Sequence, residues 1–87
     1  MSGENVRRVP TSEVGWEVFS RDGHLVGRVE AVFADYLLVR TASLLPVDLY
    51  VPSDGIVAAA DGRVLVTAEG SQAYERWHRP LKSAPHP

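Results

Sequence analysis

Eighty-seven residues, 45% hydrophobic, 23% charged and without cysteine, make one small globular domain, and they exclude disulfides, thiolate metal ligands and thiol catalysis. A formal net charge of -2 does not suit a protein built mainly to grip phosphate backbones, although Arg76, Arg79 and Lys82 form a local basic patch with no acid after Glu75. The N-terminus lacks the apolar core of a secretory signal, and no apolar run approaches the roughly 20 residues of a membrane-spanning helix, so a soluble, cytoplasmic protein without membrane insertion is expected.

Residues 1–13 are polar, include Pro10, and read as a flexible lead-in to a β domain over residues 14–68. Trp16–Ser20 is the first strand candidate. Arg21-Asp22-Gly23-His24 follows it, and Asp-Gly between apolar runs signals a hairpin, because glycine accepts positive φ without a Cβ clash. In Leu25–Phe33, the residues Leu25, Gly27, Val29, Ala31 and Phe33 alternate with Arg28 and Glu30, as a half-buried strand requires. Gly27 inside that strand predicts a bend, a bulge or a close backbone approach. Ala34-Asp35 turns the chain into Tyr36–Thr41, a strand apolar on both sides.

Ala42–Val47 is then a connector of unusually apolar residues. Asp48–Val51 is a short strand stopped by Pro52, which has no amide hydrogen for the ladder. Ser53-Asp54-Gly55 turns the chain into Ile56–Ala58, and Asp61-Gly62 marks a second hairpin leading to Arg63–Thr67. Spacing and residue class around Asp61-Gly62 echo those around Asp22-Gly23, which two hairpins of one length produce without duplication. Within 69–79, Ser71–Arg79 reads as a short helix with Ser71 at or near its N-cap, Tyr74 and Trp77 docking together on one face, and Pro80 ending it. Residues 80–87 read as a flexible tail. No helix is placed to separate two parallel strands, and open edges invite aggregation. The expected fold is therefore all-β, a small closed antiparallel barrel of five to six strands with the short C-terminal helix plugging one end.

No nucleophile elbow, phosphate loop, dinucleotide fingerprint or zincin helix occurs in the chain. His24 falls in a turn and His86 in the tail, so convergence of the three histidines with a carboxylate such as Asp22 or Asp54 on a metal is not expected. The three Asp-Gly pairs lack the ligand spacing of a calcium loop and read as turns. No catalytic residue, metal site or cofactor is assigned. Arg76, His78 and Arg79 in the last helical turn offset the negative end of the helix dipole; the functional alternative is a nucleic-acid contact by Arg76, Arg79 and Lys82 with Trp77 stacking on a base. Leu44-Leu45-Pro46-Val47 also has two readings. The connector either folds back over a barrel end or forms a self-association or partner patch with Tyr50 and Phe19.

Gly15-Trp16, Val18-Phe19, Asp22-Gly23, Val26-Gly27 and Val29 together resemble the opening hairpin of PRC-barrel domains, named for the H subunit of the photosynthetic reaction centre. The likeness runs in order through Asp35–Thr41, the apolar connector, Asp48–Pro52, Ile56-Val57 and Val64–Val66, covering roughly residues 14–68, and is nearest to the stand-alone bacterial members. It implies a barrel of about six strands, no shared catalytic motif, and use as a docking or assembly module. Larger relatives include a ribosomal maturation factor and the reaction-centre subunit, whose further parts have no counterpart in this sequence. The expected function is a non-catalytic protein-interaction or assembly module, homodimeric, with an unknown protein partner. The alternative is an RNA- or ribosome-associated assembly factor using Arg76, Trp77, Arg79 and Lys82.

Overall fold

Alternation of apolar and polar side chains lays six strands along the chain, and the computed structural model, which describes residues 11–79, shows how they associate. The elements are β1 (Glu17–Phe19), β2 (Leu25–Val32), β3 (Tyr36–Thr41), β4 (Asp48–Pro52), a 3-10 turn (Ser53–Gly55), β5 (Ile56–Ala60), β6 (Arg63–Val66) and α1 (Gly70–Trp77). They form one curled sheet in the order β4-β3-β2-β1-β6-β5. Most of the expected lead-in, and the tail from Pro80 with Lys82 and His86, lie outside the described residues.

Two features of the expected barrel are corrected. The sheet is mixed, because β1 and β6 run parallel, with Val18 beside Val64 and Phe19 beside Leu65. A parallel pair needs a long connection rather than a helix as such. Here strands β2 to β5 make that connection by travelling around the sheet. The sheet is also open. β4 and β5 are consecutive, joined only by Ser53–Gly55, yet they are its two edges. The apolar interior is shut by α1, which packs on β4 and β2 with Ala73 and Trp77 in the core, so no β4–β5 ladder is needed to cover it. The architecture is a half-barrel with a helix across it.

Inward positions follow the two-residue period: Val18 of β1, Val29 of β2, Leu37 and Val39 of β3, Leu49 and Val51 of β4, and Val64 and Val66 of β6 are all buried. Full burial of each such side chain is worth roughly 1.5–3 kcal/mol relative to leaving it in water. Trp16, Val26, Val47, Ile56 and Ala59 pack around that core. Gly27 marks the close approach expected of it: a Cβ there would lie 2.1 Å from the carbonyl oxygen of Arg40 and 2.9 Å from Cα of Thr41. Only glycine lets β3 come this near β2. Irregular registers occur opposite Val18/Phe19, within Val29/Ala31 and within Ile56/Ala58, and such bulges bend and twist the strands they interrupt.

The three Asp-Gly pairs do different work. At Asp61 (φ 54°) and Gly62 (φ 83°) both residues are left-handed, the two-residue turn whose twist matches an antiparallel hairpin. The β1–β2 connection is longer, and only Gly23 is left-handed in it. Gly55 is kept small instead by its neighbour, since a Cβ there would lie 2.8 Å from Cζ2 of Trp77.

The cap of α1 comes from elsewhere in the fold. The helix begins at Gly70, and its N-cap residue Glu69 makes no side-chain capping bond. Asp22 of the β1–β2 turn accepts a hydrogen bond from the Gly70 amide at 3.1 Å, replacing the cap expected of Ser71. Tyr74 and Trp77 do not dock together. Trp77 and Ala73, four apart, face the core, while Tyr74 points outward and stacks on His78 with ring centroids 4.4 Å apart.

Candidate interaction surfaces

Strand pairing fixes the solvent face of the sheet as firmly as its core. Directly opposed residues share a face. The registers Asp48 beside Arg40, Arg40 beside Arg28, Arg28 beside Glu17 and Glu17 beside Arg63 therefore draw one charged row across five strands. Arg28 pairs with Glu17 at 3.6 Å, and Arg40 with Asp48 at 3.4 Å and Glu30 at 4.0 Å. Exposed pairs of this kind contribute at most about 1 kcal/mol each. They keep the middle of the face hydrated.

Apolar groups flank that row. On one side Phe33 stacks on Tyr36 at 4.6 Å, and Tyr36 lies 6.1 Å from Tyr50. On the other, Leu25, Phe19, Leu65 and Ala58 stand opposite one another across β2, β1, β6 and β5. Tyr50 on β4 and Phe19 on β1 are three strands apart, roughly 14 Å at about 4.8 Å per strand. The structure thus does not bring together all five residues that the sequence suggests for one surface.

Leu44 and Leu45 occupy the β3–β4 loop, 98% and 84% exposed, so the connector does not fold back over the barrel. The loop is nonetheless well braced. Thr41 donates its amide to the Val47 carbonyl at 2.9 Å, the Val47 amide bonds the Thr41 hydroxyl at 2.9 Å, and the Ser43 hydroxyl donates to the Leu45 carbonyl at 3.1 Å. The Ala42 amide ties the loop to the Val26 carbonyl at 3.0 Å. Val47 turns inward against the core and belongs to the support, not to the tip. The result is a fixed protrusion carrying two leucines.

The C-terminal set divides. Arg76 and Arg79 are exposed at the end of α1, whereas Trp77 is buried against Gly55, with no ring face free for a base. Lys82 lies outside the described residues.

A polar cluster joins the β1–β2 turn to α1. The buried Ser20 hydroxyl donates to Asp22 and accepts from the His24 amide at 3.0 Å. His24 Nε2 lies 3.6 Å from Asp22. The Ser20 hydroxyl, then the Gly70 amide, hold the Asp22 carboxyl below the usual aspartate range. The Ser20 proton and one of its two lone pairs are thereby spent on ordering the turn. A shallow cleft of about 360 Å³ opens beside the cluster, reaching Thr41 and Tyr74. The sequence presents Asp22 as a turn residue and as a carboxylate weighed against a metal site, not as a cap; its bond to α1 spans 48 positions and leaves no local signal.

Among the described residues, no group of three His, Asp or Glu side chains converges on a possible metal position, and no helix is long and apolar enough to cross a membrane. No family model, no curated protein and no solved structure matches the chain.

Proposed function

We propose that this chain is a PRC-barrel-like, non-catalytic interaction module that self-associates through the Leu44–Leu45 loop. The observation that carries the reading is the pair of leucines held almost wholly in water on a loop that its own hydrogen bonds keep rigid. An apolar protrusion that is already ordered loses little conformational freedom on docking, so more of its burial is available as affinity. The six-strand half-barrel with the opening Asp-Gly hairpin supports the PRC-barrel resemblance at the level of architecture. The alternative reading, an RNA- or ribosome-associated factor, keeps Arg76 and Arg79 but has Trp77 inside the core.

Sedimentation equilibrium tests the proposal. Wild-type protein is expected to dimerise at micromolar concentration, and L44S/L45S to remain monomeric, with a urea midpoint equal to that of wild type when both are measured at concentrations dilute enough for wild type to be monomeric. Two leucines from each copy are lost from the interface. At roughly 1.5 kcal/mol or more per buried leucine, dimerisation weakens by several powers of ten. A wild-type monomer at hundreds of micromolar, or a variant that dimerises equally well, refutes it.

A further inference from the structure

β5 is a terminal strand; the Ile56 amide on its outward side is held by the Ser53 carbonyl, but among the described residues Val57–Ala60 make no backbone hydrogen bond on that side. Strands left open in this way are usually blunted by lysine, proline or a covering loop. β5 reads Ile-Val-Ala-Ala-Ala and carries neither charge nor proline. Its one irregularity lies between Ile56 and Ala58, leaving Ala58, Ala59 and Ala60 in regular register with Leu65, Val64 and Arg63.

The solvent face beside this edge has the same character. Ala58 and Ala60 are too small to cover β6, so a groove of about 500 Å³ opens over them, floored by Phe19 and Leu65 and walled by Arg63 and Gly23. Leu65 and Leu25 are 37% and 45% exposed in the apolar row that ends here. Arg63 leans over the Phe19 ring at 5.9 Å. A smaller hollow next to it is lined by Arg21, Val57, Leu65 and Thr67. Neither Arg21 nor Arg63 has an ion-pair partner among the described residues. Three acids on the flanking segments are otherwise placed: Glu17 holds Arg28, Asp22 caps α1, and Asp61 sits in the left-handed turn.

We infer that β5 and its groove form a docking site for an extended, acidic-apolar peptide segment of a partner protein, added as a seventh strand. Main-chain bonds to the open edge would supply affinity and the groove would supply selectivity. Side chains at alternate positions of an added strand share a face, so the matching pattern is acid–x–apolar–x–acid. The apolar residue rests over Ala58 and Leu65, with one acid toward Arg63 and the other toward Arg21. The chain's own segments do not fit this site. Residues 80–87 hold Lys82 and no acid, residues 1–10 hold Arg7 and Arg8 against Glu4, and a second copy's β5 is uncharged. The site is separate from the Leu44–Leu45 loop and stands or falls without it.

The test is selection of a random nonapeptide display library on the immobilised full chain. Enriched peptides are then titrated into isotopically labelled wild-type, R63E and L44S/L45S proteins. The expected result is enrichment of the acid–x–apolar–x–acid pattern, amide shift changes concentrated at Ile56–Ala60, and at least tenfold weaker binding to R63E. L44S/L45S is expected to bind like wild type, whatever its oligomeric state. No enrichment, enrichment of basic peptides, equal binding to R63E, or shift changes away from β5 overturns the proposal. So does protection of the β5 amides in the free wild-type protein by pairing between copies.

Discussion

Replacing Trp77 with alanine tests how the half-barrel is closed. The indole is 6% exposed, and its Cζ2 packs so near Gly55 that a single methyl group there would collide with it. α1 has eight residues, well short of the roughly 12–15 at which an isolated helix becomes even marginal in water, so docking must hold it. Its anchors are Ala73, Trp77 and the Asp22 cap. Truncating a buried tryptophan costs about 3–5 kcal/mol. A chain of this length, at about 0.05–0.15 kcal/mol per residue, has only about 4–13 kcal/mol in total. W77A should therefore lose about a quarter or more of its stability and shed helical signal. In urea, with a slope of about 1–3 kcal/mol per molar, the midpoint falls by roughly 1–5 M, followed by circular dichroism and by the fluorescence of Trp16. W77F should recover much of the loss. A drop of less than about 1 kcal/mol in W77A would mean that the ring does not close the core. That outcome would also restore it as a candidate for nucleic-acid stacking.

Two further expectations concern stability. Gly27→Ala places a methyl group 2.1 Å from a backbone carbonyl on β3, and because backbone cannot swing aside as a side chain does, a loss of about 3 kcal/mol or more is expected, read from the urea midpoint; a loss within the roughly 1 kcal/mol typical of a surface site would contradict the close β2–β3 approach. Asp22 has its folded pKa lowered by the Ser20 hydroxyl and the Gly70 amide, below an ordinary value of about 3.9. A depressed acid stabilises the fold fully above that ordinary value, and the contribution disappears as pH falls through the lower, folded one. The gap in urea midpoint between wild type and D22A should thus be widest near neutral pH and narrow below about pH 4; a gap independent of pH would refute the cap.

Local chemistry in the sequence determined a good deal. The two-residue period of β2 put Gly27 and Val29 inward, but Leu25 and Phe33 of the same apolar set are 45% and 42% exposed, because irregular registers opposite Val18/Phe19 and between Val29 and Ala31 shift the strand's faces. Asp22-Gly23 and Asp61-Gly62 placed both hairpins, since positive φ is a property of the residue itself. Gly27 announced a bend, a bulge or a close approach, without saying which or against what partner. A short helix was legible within Ser71–Arg79, but it runs Gly70–Trp77 with His78 as its C-cap, so Arg79 lies past its end, and its N-terminal cap and buried face were not legible. Asp22 reaches Gly70 only after the sheet curls, and the choice of Ala73 over Tyr74 as Trp77's companion depends on where β4 lies.

The tertiary structure alone decided the parallel β1–β6 pair, the open β4–β5 seam and the surfaces these create. Sequence patterns report how one strand divides its side chains between core and water. They carry no term for which strand becomes a neighbour, because that choice depends on the summed packing of the whole sheet. Leu44 and Leu45 show the same limit from the outside: their apolar character is plain in the sequence, but only the fold could show that they stand in solvent.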